Sequence, residues 1–326
     1  MAKSQILVTD SLFVTSEYEQ SIRTAGYDCV RLDKPKASEH ELIDAIRGKI
    51  GYILGGIEEV TAPVIEAADK LQAMVFTGSG YREFIPAHSL ATKKGIAIAN
   101  APGGNAAAVA EYTITLMLMM VRHALELGRT GQSKFKTTQS LRDQSVGIIG
   151  LGHVGIVLST MLRGLGVGEL YYYSRSRKYH LESGFGIKYL SLEDLLTTCD
   201  VITLHASKEA GEGFLGPQEL SSIRDGGVLI NAAYPDAIDF IALRNHLTSN
   251  RLRVAYDGPP SADYSDLSPQ VFFCSNAQTA FNTYEAIDTV SAMAVRSLLN
   301  LLSSGDDLFL INPDYRSFRN DSRHQL

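Results

Sequence analysis

Short runs of nearly uninterrupted apolar residues alternate along this chain with segments in which apolar side chains recur at helical spacing. The first part reads QILVTD, DCVRLD, IGYILGG, QAMVFTG and GIAIAN, with amphipathic stretches such as SEHELIDAIRG and APVIEAADKL between them. The apolar runs, bounded by Gly, Asp and Asn, predict strands, and the intervening stretches predict helices. Strands apolar on both faces and separated by helices predict a parallel sheet covered on both sides, an α/β architecture.

A long helix is expected from Asn105 to Leu127, opened by Pro-Gly-Gly-Asn and carrying AAAVAEYTITLMLMM. After the loop RTGQSKFKTTQSLRDQ the alternation restarts with SVGIIG, LYYYS, IKYL, VITLHA, VLINAA, RVAYD and VFFCS, which predicts a second domain. A last helix, EAIDTVSAMAVRSLLNLLSSG, leads into an NPDYR tail expected to return to the first domain, leaving that domain discontinuous.

The bulk numbers fit this picture. With 326 residues and 45% apolar content the chain can bury two cores. Its net charge of -6 is spread along the chain without a basic face, so nucleic acid is not an expected partner. The opening MAKSQILVTD enters a strand pattern with no long apolar stretch, so no membrane association and a cytoplasmic location are expected. Cys29, Cys199 and Cys274 match neither a disulfide framework nor a zinc site, and no metal is expected.

The strongest chemical signal is SVGIIGLGHVGIVLSTMLRGLG, in which a strand, Gly150, Gly152 and Gly155 in G-x-G-x-x-G spacing, and an amphipathic helix follow one another. Gly150 permits the tight turn, Gly152 lets backbone approach a pyrophosphate, and Gly155 lets the helix pack on the strand. The helix start attracts the anion, so the backbone of His153 and Val154 is assigned to the same contact. After the next strand, where an NAD site carries an acidic residue, stands Ser174, followed by Arg175, Ser176 and Arg177. A guanidinium that grips a 2′-phosphate would make this an NADP pocket, with NADPH favoured over NADH.

Several stretches together, KKGIAIANAPGGNAAAVAEYTITLMLMM, SVGIIGLGHVG, DVITLHA, GGVLINAA and TYEAIDT, resemble the D-isomer-specific 2-hydroxyacid dehydrogenases, the group of hydroxypyruvate and glyoxylate reductases and formate dehydrogenase. The resemblance covers nearly the whole length. It implies a flavodoxin-like substrate domain from both chain ends, 1–103 and 290–326, and a doubly wound Rossmann domain over 104–289. It further implies a homodimer, a small-molecule substrate near Gly78, Ser79 and Gly80, and a nicotinamide site lined by His205, Ala232, Ala233 and Asp257. Ala206 and Ser207, which follow His205, are assigned to the cofactor as well.

The family's catalytic set does not carry over. Tyr234 stands where the resemblance places a carboxylate-binding arginine, Gln278 where it places the proton-relay histidine, and no glutamate follows Asp257 in GPPSADYSD. A glutamine amide does not exchange a proton at neutral pH. Ordinary 2-oxo acid reduction is therefore disfavoured. Two readings follow. In one, an NADPH-dependent reductase acts on an imine, an activated alkene or an unusual carbonyl, with Tyr234 as proton donor, Asn231 and Gln278 holding the acceptor, and Tyr81 and Arg82 at the substrate. In the other, the chain binds the dinucleotide without turnover, as a sensor or scaffold.

Overall fold

The computed structural model describes residues 3–10, 12–34, 36–129 and 137–322. Part of the expected loop after Arg129, residues 130–136, lies outside the described residues, as do Met1, Ala2 and the last four positions. The chain divides into two units, Met1–Asn105 with Thr283–Leu326, and Ala106–Asn282. The second crossing falls just before the helix Tyr284–Ser303 rather than at 289/290. That helix is continuous and its N-terminus is capped by Thr283, whose hydroxyl accepts from the Ala286 N–H at 3.1 Å.

Strands β1 (Gln5–Thr9), β2 (Asp28–Leu32), β3 (Lys49–Leu54), β4 (Ala73–Phe76) and β5 (Ala97–Asn100) build the first unit's sheet. All pairings are parallel, in the order β2-β1-β3-β4-β5. β3 and β4 are almost wholly buried, as the uninterrupted apolar runs require. The tail does return to this unit: Ile311 N–H donates to Ile98 O at 2.8 Å, and Asn312 Oδ1 accepts from Ile98 N–H at 2.7 Å.

In the second unit follow β6 (Ser145–Ile149), β7 (Glu169–Tyr173), β8 (Lys188–Tyr189), β9 (Val201–Leu204), β10 (Val228–Asn231), β11 (Arg253–Tyr256) and β12 (Phe272–Cys274). They form a parallel sheet in the order β12-β11-β10-β9-β6-β7-β8. The order reverses between β6 and β9, which opens a crevice at the carboxyl ends of those strands. Two apolar layers lie on this sheet, one containing Leu195, Leu204, Leu229 and Phe272, the other Met117, Ile148, Leu158 and Ile230.

The helix expected over 105–127 is shorter. It runs Ala106–Val121, breaks at His123 with φ +50°, and resumes as Ala124–Arg129. Arg253 explains the break: its Nη1 donates to Met120 O at 2.7 Å and lies 2.9 Å from His123 Nε2, so a cation on β11 takes up a carbonyl at the helix end.

Near the strand ends of the first sheet a buried polar cluster forms. Tyr52 O–H donates to Glu58 Oε1 at 3.0 Å, and Gly55 N–H donates to Thr9 Oγ1 at 3.2 Å. Glu58 is 1% exposed, its Oε2 is without a hydrogen-bond partner among the described residues, and burial pushes its carboxyl above the ordinary value. The fold therefore favours protonated Glu58. Its stabilising contribution is complete below the unfolded carboxyl value of about 4.3 and is lost as the pH rises through the higher folded value. Glu58→Gln is expected to raise Tm more at neutral pH than at pH values near 4. Thermal melts across pH check this, and an equal change at both ends would contradict it.

Candidate dinucleotide site and catalytic positions

The turn after β6 is built by its glycines. Gly150 has φ +101°, and a Cβ there would lie 2.6 Å from the His205 carbonyl oxygen. The close approach holds the turn to its neighbours: Gly150 N–H donates to Tyr173 O at 2.8 Å, and His205 N–H donates to Ile149 O at 2.7 Å. A Cβ on Gly155 would stand 2.5 Å from Gly150 O, so the helix His153–Gly164 sits directly on the turn.

Gly152 is different, because a Cβ on it would meet nothing within 4 Å. It caps the helix start without any side chain accepting from the first-turn amides. The N–H groups of His153, Val154 and Gly155 have no partner within the helix, and the positive end of the helix dipole adds to their pull on an anion. The His153 side chain is exposed, so only its backbone belongs to the site.

A cavity of about 460 Å³ opens beside this turn, at the carboxyl ends of β6, β7 and β9. Gly150 to Gly152, Tyr173 to Ser176, Lys178, His205 to Ser207, Glu209, Ala210 and Phe214 line it. Ser174 does stand at the end of β7, its hydroxyl donating to Ser176 O at 2.7 Å, and no carboxylate occupies the strand end. Arg175 is largely exposed and reaches to 3.4 Å from Glu209 Oε2.

Arg177, assigned to the cofactor from sequence, is committed elsewhere. It donates twice to Glu182, at 2.7 and 2.8 Å, and its guanidinium lies over the Tyr179 ring at 4.5 Å. Lys178 takes the place on the cavity wall, with Nζ donating to Leu151 O at 2.7 Å in the glycine turn. Sequence reasoning passed over Lys178 and Glu209: the first lay one residue beyond the basic run, and the second gave no local signal. The His205 ring is enclosed, which lowers its pKa to about 4 and keeps it neutral.

The expected catalytic positions form a second group at the ends of β10 and β11. Asn231 is buried and both atoms of its amide are used inward: Nδ2 donates to Tyr234 O at 3.0 Å and Oδ1 accepts from Ala233 N–H at 3.1 Å. These bonds shape the turn through Ala232 and Ala233. Tyr234 O–H donates to Gly211 O at 2.6 Å, and burial raises its pKa. Gln278 Nε2 donates to Ala233 O at 3.1 Å. Asp257 holds the loop that carries Gln278, accepting from Thr279 N–H at 2.8 Å and from Ala280 N–H at 3.2 Å.

The remaining expected residues belong to the other unit. Gly78 packs on Phe76, whose ring a Cβ would meet at 2.7 Å. Ser79 anchors the loop by accepting from Gly103 N–H at 3.2 Å and from Asn100 Nδ2 at 2.9 Å. Gly80 precedes the short helix Tyr81–Phe84. Tyr81 and Arg82 border a separate cavity of about 380 Å³ with His88, Lys93 and Asp314.

A sheet of this order, with a glycine turn and an open helix start at its reversal point, defines a dinucleotide-binding unit. Residues 114–264 match the family model of the NAD binding domain of D-isomer specific 2-hydroxyacid dehydrogenase. Those residues thus resemble the NAD binding domain of that family. It is 29% identical over 307 residues to D-3-phosphoglycerate dehydrogenase of Escherichia coli strain K12, covering 90% of this chain and 74% of that one. Across the curated relatives compared, the chain spans between 46% and 74% of the relative's length. Two solved structures share the fold. NAD+-bound 3-phosphoglycerate dehydrogenase of Entamoeba histolytica has TM-score 0.80 and 22% identity, covering 95% of this chain and 99% of that one. An acyclic imino acid reductase in complex with NADPH and D-Arg has TM-score 0.81 and 21% identity, covering 94% and 99%. Among the described residues no helix is long and apolar enough to cross a membrane.

Proposed function

We propose that the chain is an NADPH-dependent oxidoreductase whose acceptor is a protonated imine rather than a standard 2-oxo acid. The observation that carries this reading is the pairing of an intact dinucleotide cradle with expected catalytic positions that bond to loop backbone, Tyr234 to Gly211 O, Gln278 to Ala233 O and Asn231 to Tyr234 O. The open space over Gly152, the unpartnered first-turn amides and the cavity beside them fit a pyrophosphate and an adenosine. Ser174, Arg175 and Lys178 favour a 2′-phosphate over a 2′-hydroxyl at the end of β7. When bound, the dinucleotide supplies hydride.

Reduction of a 2-oxo acid needs a proton delivered to oxygen as hydride reaches carbon, and the residues at the family's relay positions do not supply it. Gln278 has no ionisable group, and the Tyr234 proton is engaged by Gly211 O. A protonated imine asks for less: hydride adds to carbon, the C=N π pair becomes the lone pair on nitrogen, and the nitrogen already carries its proton. An activated alkene or an unusual carbonyl is a less favoured acceptor, because each still needs a proton. That a solved protein of the same fold is an acyclic imino acid reductase supports this reading.

In this reading Tyr234 is a clamp on the loop 207–213. Tyr234→Phe is expected to raise the dinucleotide Kd about threefold, the worth of one net hydrogen bond, while kcat for an imine changes less than twofold. A loss of kcat on the scale of general acid catalysis, about 100-fold or more, would restore Tyr234 as proton donor. The backbone contacts of Asn231, Tyr234 and Gln278 also suit a second reading, dinucleotide binding without turnover. A homodimer and a cytoplasmic location complete the proposal, the former tested by the mass in solution.

A further inference from the structure

We propose that Glu209 is a specificity-determining residue of the dinucleotide site, competing with a 2′-phosphate for Arg175. This rests on the NADPH reading above. The charged side chains lining the cavity, among the described residues, are Arg175, Lys178 and Glu209, with His205 held neutral. They are not equivalent. Lys178 is fixed to the glycine turn through Leu151 O, whereas Arg175 is 76% exposed and extends from the end of β7 towards the opposite wall. There its Nη2 lies 3.4 Å from Glu209 Oε2.

Glu209 sits on a fixed support. It belongs to the turn Lys208–Ala210, closed by Ala210 N–H donating to Ser207 O at 2.9 Å and Gly211 N–H donating to Lys208 O at 3.0 Å. The Tyr234 hydroxyl holds the next carbonyl, Gly211 O, at 2.6 Å. The backbone that carries Glu209 is thus fixed, while both side chains of the pair are exposed, 76% for Arg175 and 51% for Glu209. A 2′-phosphate that takes the Arg175 guanidinium bidentately must displace this carboxylate and then sit near its charge. A 2′-hydroxyl makes neither demand. Glu209 thus weakens NADPH selectively and narrows the preference that the two cations set.

The test is a double-mutant cycle over Glu209→Gln and Arg175→Ala, with Kd for NADPH and NADH measured by calorimetry on the full chain, and melts confirming that each variant folds. Glu209→Gln alone is expected to tighten NADPH up to about fivefold, the upper worth of an exposed ion pair, and to leave NADH within twofold. In the Arg175→Ala background the same substitution is expected to change NADPH affinity less than twofold. Equal tightening in both backgrounds would overturn the competition in favour of simple repulsion. Loss of NADH affinity in Glu209→Gln would overturn it too, by making Glu209 the acceptor for a 2′-hydroxyl. If the parent chain prefers NADH and Arg175→Ala changes nothing, the NADPH reading itself has failed. If Arg175→Ala weakens NADPH but Glu209→Gln does not tighten it, only the role of Glu209 has.

Discussion

Arg175→Ala is expected to weaken NADPH binding by about ten- to a hundredfold, since hydrogen bonds to a charged partner contribute about 1.5–3 kcal/mol. NADH binding should change by less than about twofold, because without a 2′-phosphate Arg175 makes an exposed pair with Glu209, which is worth little. The loss should shrink as salt rises, because the cavity mouth is open to screening. Titration of both dinucleotides at two ionic strengths measures all of this. Equal small losses for the two cofactors would make Arg175 a solvated surface residue and remove the basis for an NADP pocket.

Gly155→Val should have a larger effect still, on both stability and binding. A Cβ at this position would lie 2.5 Å from Gly150 O, and a backbone oxygen in a turn held by Tyr173 O and the His205 N–H has little freedom to give way. Either the helix His153–Gly164 lifts from the sheet or the turn opens, and each displaces the amides that face the pyrophosphate. Overpacking of this kind costs about 1–3 kcal/mol, which corresponds to a Tm lower by several degrees. Dinucleotide affinity should fall at least about a hundredfold, as expected when several charge-assisted contacts are lost together. Melts and calorimetry on the variant check both, and near-parental affinity would mean that the turn does not hold the cofactor.

The fold was largely legible because it rests on local pattern. Apolar runs such as VITL and VLIN can only be buried on both faces, and the three glycines answer steric demands set by their immediate neighbours in the turn. The break at His123 was not legible, because the cation that receives Met120 O is Arg253, far along the chain. The basic run after β7 showed which charges are present but not which of them face the cofactor. Its sorting depends on Glu182 and the Tyr179 ring, which draw Arg177 aside, and on Leu151 O, which draws Lys178 in.

At the expected catalytic positions the sequence told which residues stand there and not what they contact. Tyr234 and Gln278 stand where the resemblance places an arginine and a histidine. The direction of a hydroxyl or an amide is set by backbone atoms of other loops: Gly211 O for Tyr234, Ala233 O for Gln278, and the Asn231 turn for both. In the proposed reading these contacts make the residues loop supports rather than acid and acceptor grips. That change is why the protonated imine, which brings its own proton, is favoured here.

The most direct test of this account is NADPH oxidation followed by absorbance with glyoxylate, hydroxypyruvate, an activated enone and a cyclic imine, each compared with the same reaction on NADH. The account predicts turnover of the imine with NADPH preferred, and rates for the two 2-oxo acids lower by at least about a hundredfold, the scale of acid-base catalysis. Robust glyoxylate or hydroxypyruvate reduction would contradict it, by showing that this chain delivers a proton without the family's arginine and histidine.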